Sequence, residues 1–262
     1  MPHFAPDSAL VTRVVVSPNH EERKLGAPDI LLLHYTGMPS TEDAVQRLCD
    51  AQSKVSAHYV VDEDGRVSQL VPEQLRAYHA GDSSWEGESD INSRSIGIEI
   101  GNPGREYGYP DFPERQIAAV IALARDIVVR HAIRADRVLA HSDVAPGRKN
   151  DPGEKFPWAK LAAAGVGLWV EPRPLAAGAE LGLGDKGEPV RALQRNLADY
   201  GYGVEATGRF DERTRDVVIA FQRHFRPARV DGIADRSTRE TLAALRAQRD
   251  KRAADSVHAS RD

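Results

Sequence analysis

The chain has 262 residues, a formal net charge of -4 and 28% charged residues, which suits one medium domain plus a small one and gives no reason to expect nucleic acid as a partner. No segment approaches the ~18 consecutive apolar residues of a membrane span. Cys49 is the single cysteine, so an intrachain disulfide and a thiolate-rich zinc site are excluded, and any metal has to be held by His and carboxylate.

Residues 1–28, punctuated by Pro2, Pro6, Pro18 and Pro28, predict an arm that wraps the first domain. They hold no basic region followed by an unbroken apolar run, since Arg13 interrupts the best stretch. That predicts no export signal and a cytoplasmic chain, or a periplasmic one if a signal was removed. Ile30-Leu31-Leu32-Leu33 reads as a buried strand that ends on His34. Ser40 is a plausible N-cap for a helix over about Thr41 to Gln52, with Glu42 and Asp43 in its first turn. Two further strands, around His58–Val61 and Arg66–Val71, flank the Asp64-Gly65 hairpin turn, so the sheet should be mixed.

A polar loop from Tyr78 to Asn92 leads to the strand Ser95–Ile100, in which Glu99 interrupts an apolar run. A carboxylate there needs a partner, and Arg94 is a candidate. Ile117, Val120, Ile121, Ala124, Ile127 and Val128 mark one face of a helix that starts at Pro113. This helix lies between the Glu99 strand and Val138-Leu139-Ala140, a βαβ crossover that would bring Glu99 and His141 to one edge of a parallel pair. Ten residues after His141, a loop stiffened by Pro146 and Pro152 presents Asp151, with Lys149 just before it. The prediction is an α/β domain over residues 1–170, a central mixed β-sheet flanked by helices.

Residues 165 to 184 are dense in Gly, Ala and Pro, and predict a linker at 171–184. Residues 185–247 then form a small three-helix C-terminal domain with its own core, separable from the first. Its repeat has a period of about 24 residues, Gly208-Arg209-Phe210-Asp211 aligning with Gly232-Ile233-Ala234-Asp235, each Asp placed to cap a helix. The polar stretch 248–262 is expected to be disordered.

His34, His141 and Asp151 together supply two imidazoles and one carboxylate, three ligands with an open fourth position, as in catalytic zinc sites. Iron oxygenases use the same donor set but need a cosubstrate pocket that the sequence does not show, so zinc is the expected metal. Glu99 is placed for general acid–base work and Lys149 for holding an oxyanion. His79 either lines a substrate groove or caps a loop; Tyr35 and Asn92 are further candidates for substrate binding.

The stretches LLLHYTG, SAHYVVDEDG, YHAG, SIGIEI and LAHSDVAPGRKNDPGEKFPW, in that order over about residues 28 to 170, resemble the zinc-dependent N-acetylmuramoyl-L-alanine amidases, the family that includes the peptidoglycan recognition proteins. The resemblance implies one zinc per chain on His34, His141 and Asp151, Glu99 as the catalytic carboxylate and Lys149 as the transition-state cation. Tyr78 stands where the family usually has Trp, a departure that touches groove shape. LQRNLADYGYG, GRFDERT, AFQRHF and DGIADRST look like a helical peptidoglycan-binding module. The implied substrate is peptidoglycan or a muropeptide, cut between N-acetylmuramic acid and L-alanine. A non-catalytic recognition protein and a zinc peptidase cutting elsewhere in the stem are the rival expectations. Nothing in the sequence sets an oligomeric state.

Overall fold

The computed structural model describes residues 4–259. A six-stranded sheet runs in the order β1 (Arg13–Val14), β5 (Val67–Gln69), β4 (Tyr59–Val61), β7 (Ser95–Ile100), β3 (Ile30–Tyr35), β8 (Val138–Ala140). All neighbours are parallel except the β4–β5 hairpin, so the sheet is mixed as expected. A small antiparallel pair, β2 (His20–Glu22) with β6 (Leu75–Ala77), ties down the N-terminal arm. Arg23 continues the arm, its guanidinium donating to the carbonyls of Glu73, Ser93 and Ser95. Met1 to His3 lie outside the described residues.

One expectation needs correcting. The crossover from β7 through α3 (Glu114–Arg130) to β8 does not make those strands neighbours, because β3 lies between them and pairs with both. Strand order is a long-range property that a local reading of β7-α3-β8 cannot supply. The outcome for the chemistry is tighter, since His34 stands directly opposite Glu99 in the β3–β7 register and His141 follows the last residue of β8.

The alternation along β3 shows why its sequence is continuously apolar. Leu31 and Leu33 face a core built with Ile117, Val120, Leu123 and Ile127 of α3, whereas Ile30 and Leu32 belong to a second core on the opposite face. A strand covered on both sides has no polar face to show. Helix α1 (Thr41–Cys49), capped by Ser40, packs against Val60 and Leu70 at the far end of that opposite face. It is a turn shorter than predicted because Asp50 leaves the helical region. The single turn α2 (Ile91–Arg94) precedes β7; α4 (His141–Val144) and α5 (Trp158–Ala163) follow β8.

The C-terminal module comprises α6 (Glu188–Tyr200), α7 (Glu212–Phe225) and α8 (Arg236–Ala259). Its repeat is physical. Gln194 and Gln222 each accept from a loop glycine, Gly208 or Gly232, and donate to a helix threonine, Thr214 or Thr238. Asp211 and Asp235 cap the following helices through the amides of those threonines. Two further expectations fail here. The module has no separate core: its Val190, Leu193, Leu197, Phe221 and Phe225 share one cluster with Ile30, Leu32, Trp85, Leu139 and Val144 of the first domain. An apolar helix stripe reads the same whether it packs on its own helices or on a neighbouring sheet. The polar stretch after Gln248 is also helical to Ala259, because α8 is already anchored by Leu242 and Leu245 and continues through Arg, Lys and Ala without Gly or Pro. No described helix is long and apolar enough to cross a membrane.

Candidate active site

Over the C-terminal ends of β3 and β7, between α1 and the loop from His141 to Asp151, lies a cavity of about 310 Å³. Strand ends are where parallel sheets leave room for side chains from several elements. Tyr35, Tyr78, Glu99, Lys149 and, from α1, Arg47 are among the residues that line it. At its floor the Nδ1 atoms of His34 and His141 and Oδ2 of Asp151 form a triangle with edges of 2.8, 3.2 and 3.0 Å. All three side chains are buried, and among the described residues they form a group that could hold a metal ion.

Following the protons shows what this triangle is. The Ser95 hydroxyl donates to the Ile91 carbonyl, so its oxygen accepts from Nε2 of His79 at 3.4 Å. Nδ1 of His79 is then bare and accepts from Nε2 of His34 at 3.1 Å. Nε2 of His141 donates to the Ala80 carbonyl at 3.0 Å. Burial and then His141 push His34 down to about 4, so near neutral pH its ring carries one proton, already used at Nε2. Burial alone would raise the Asp151 carboxyl, but the His141 and His34 rings outweigh it and hold the group well below the usual carboxylate range. Two Nδ1 atoms and a carboxylate oxygen therefore converge on one point, each within 3.2 Å of the others. Two imidazole nitrogens and a carboxylate oxygen aimed at one point make a three-ligand metal site with an open fourth position. Tetrahedral coordination at the usual zinc bond lengths of about 2.0–2.1 Å puts ligands about 3.3 Å apart, close to the edges observed. The donor set fits zinc.

His79 lines the cavity and also stands behind His34, accepting from its Nε2, and burial and then the neighbouring His34 hold it well below the ordinary histidine range. A Cβ at position 97 would lie 2.6 Å from the His79 ring, so only glycine leaves the space. Such outer partners fix the tautomer and aim of a metal ligand. Asn92, expected to bind substrate, does not face the cavity; its Oδ1 accepts from the amides of His79 and Ala80 and holds their loop. Tyr35 and Tyr78 do form walls. Arg148 was not singled out from sequence, yet it donates to the carbonyls of Ala80 and Asp82, the first of which also receives His141. A Gly- and Pro-rich loop gives no signal as to which of its cations will bond a neighbouring loop.

Glu99 stays outside the triangle. Arg94, its candidate partner, is engaged by Asp29, and Oε2 of Glu99 is buried without a hydrogen bond. Burial and then Asp151 push the Glu99 carboxyl well above the ordinary range, against the pull of Lys149.

A family model described as N-acetylmuramoyl-L-alanine amidase matches residues 24–154, and one for a peptidoglycan binding domain matches residues 186–242. The N-acetylmuramoyl-L-alanine amidase AmiD of Escherichia coli (strain K12) is 40% identical over 232 residues, 82% of this chain and 81% of its own. The 1,6-anhydro-N-acetylmuramyl-L-alanine amidase AmpD of Citrobacter freundii is 39% identical over 113 residues, 43% of this chain and 58% of its own. The structure of AmiD in complex with anhydro-N-acetylmuramic acid-L-Ala-D-gamma-Glu-L-Lys matches with a TM-score of 0.72 at 38% identity, over 86% of this chain and 91% of that one. AMPDH3 from Pseudomonas aeruginosa matches with a TM-score of 0.69 at 30% identity, over 95% and 99%. Fold, cluster and both matched regions agree, and the chain belongs to the N-acetylmuramoyl-L-alanine amidase family, with a peptidoglycan binding domain after the amidase domain.

Proposed function

We propose that this chain hydrolyses the amide between N-acetylmuramic acid, or its anhydro form, and L-alanine in peptidoglycan or muropeptides, with one zinc ion held by His34, His141 and Asp151. The observation that carries this reading is the triangle of converging His and Asp donors opening onto a cavity that holds an unpartnered carboxylate oxygen. The activity named for AmiD and AmpD, and the anhydromuramyl peptide bound to AmiD, support the choice of bond.

Zinc at this site supplies Lewis-acid polarisation of the scissile carbonyl and makes a water more acidic. Glu99 takes the proton that the attacking water gives up and delivers it to the departing nitrogen of L-alanine. The same burial that raises its affinity for a proton equips it for both halves of that transfer. Lys149, with no ion pair among the described residues, stands as a fixed positive charge for the oxyanion of the tetrahedral intermediate. Tyr35 and Tyr78 bound the groove that receives sugar and peptide. The helical module binds the polymer.

Mass analysis of products from a soluble anhydromuramyl peptide tests the reading. Free stem peptide beginning at L-alanine is expected, abolished by chelation and restored by zinc. Shorter peptides would make the protein a peptidase, and binding without cleavage would make it a recognition protein. Lys149→Ala should lower kcat by about 100-fold, the scale for loss of one oxyanion donor, with a smaller change in KM. A rise in KM alone would assign Lys149 to substrate binding instead.

A further inference from the structure

Helix α4 is a single turn, too short to be stable by itself, yet it carries His141 at its first position. Its closure comes from Asp143, whose Oδ2 accepts from the amide of Ala140, the residue before His141, at 2.8 Å. Asp143 is fully buried, and a buried carboxylate persists only when its oxygens are occupied. The other donors come from the C-terminal module. Nδ1 of His224, on α7, donates to the same Oδ2 at 2.6 Å, and the Tyr202 hydroxyl donates to Oδ1 at 2.7 Å.

Both donors are held so that they cannot turn away. The His224 ring is stacked between Trp158 and Phe225, with centroids 3.7 Å away on each side. The Tyr202 ring meets the edge of Trp85 at 5.0 Å. Arg213 of α7 adds a bond to the Pro146 carbonyl, farther along the loop to Asp151.

We propose that Tyr202 and His224 are positioning residues for the metal centre: through Asp143 they fix the turn that aims His141, so the C-terminal module helps to build the site as well as to bind polymer. This rests on the metal reading above. The test is zinc affinity of the full-length protein, measured by competition with a chromogenic chelator at a temperature well below unfolding. Tyr202→Phe, which removes one oxygen, and His224→Leu should each weaken zinc by about tenfold, the scale seen for outer partners of metal ligands. His224→Asn, whose amide nitrogen can replace Nδ1, should recover most of the loss. Val190→Ala loosens the shared core at α6, a helix that gives Asp143 no donor; it should melt earlier with zinc affinity unchanged. If Tyr202→Phe and His224→Leu stay within about twofold of wild type, or Val190→Ala weakens zinc as much as they do, the proposal is overturned. Should His224→Leu fail to fold, Tyr202→Phe decides. A wild-type chain that takes up no zinc would instead bring down the metal reading, and the proposal with it.

Discussion

Replacing Glu99 with Gln is expected to lower kcat by about 100- to 10,000-fold, the usual worth of general acid–base help, while one zinc per chain remains. Three observations separate this carboxylate from the ligands. It stands on β7, a strand that contributes none of them; its Oε2 is buried without a partner; and the Arg94 guanidinium that could have paired with it is bound to Asp29. The substitution therefore breaks no ion pair and should leave the melting temperature nearly unchanged. An amide can neither accept the water proton nor hand one to the leaving nitrogen. A variant within a few-fold of wild type, or one purified without its metal, would return Glu99 to a structural or ligand-supporting role.

A chain ending at Val170 is expected not to fold stably. The cluster shared between the two parts includes eight residues of the first domain: Ile30, Leu32, Ala80, Trp85, Ile91, Leu139, Val144 and Leu168. If only four of them lose cover, at about 1.5–3 kcal/mol for each large side chain, the deficit is on the order of 10 kcal/mol. A domain's whole net stability is about 5–15 kcal/mol. Asp143 would lose two of its three donors as well. The truncated protein should aggregate or bind a hydrophobic dye and lack a cooperative melt. A monomer that melts within a few degrees of the full chain and cleaves soluble muropeptide at the full rate would show that the module is only a tether.

That second expectation reverses what the sequence alone suggests, and the reason is physical. Ile30 to Leu33 could be read as a strand, and α3 as a helix, because their apolar spacing is a local property. The candidate metal cluster was legible for a related reason: two histidines that end apolar runs and an aspartate in a rigid loop are unusual chemistry in those settings. What a local pattern cannot carry is the partner. Asp143 stood in the most informative stretch of the chain, yet its donors lie 59 and 81 residues away. His79 and Asn92 were recognisable as polar residues near a turn, but that His79 also backs His34, in space left by Gly97, and that Asn92 holds the loop instead are set by contacts made only in the fold. The tail after Gln248 failed for the converse reason: polarity argues against burial, whereas a helix started on Leu242 and Leu245 needs no burial to continue.

The shared core also sets how the enzyme can meet a polymer. A binding module on a flexible leash sweeps a sphere, and the catalytic centre may cut anywhere inside it. Here residues 171–184 are themselves bonded to α8 and the loop before it through Arg173, Ala179 and Leu181, and the joint is closed by Trp85, Tyr202 and His224. On the proposal that α6 to α8 bind polymer, a strand held there would be presented to the groove at one offset and one angle, as by a ruler. Lengthening the leash would leave that offset where it is.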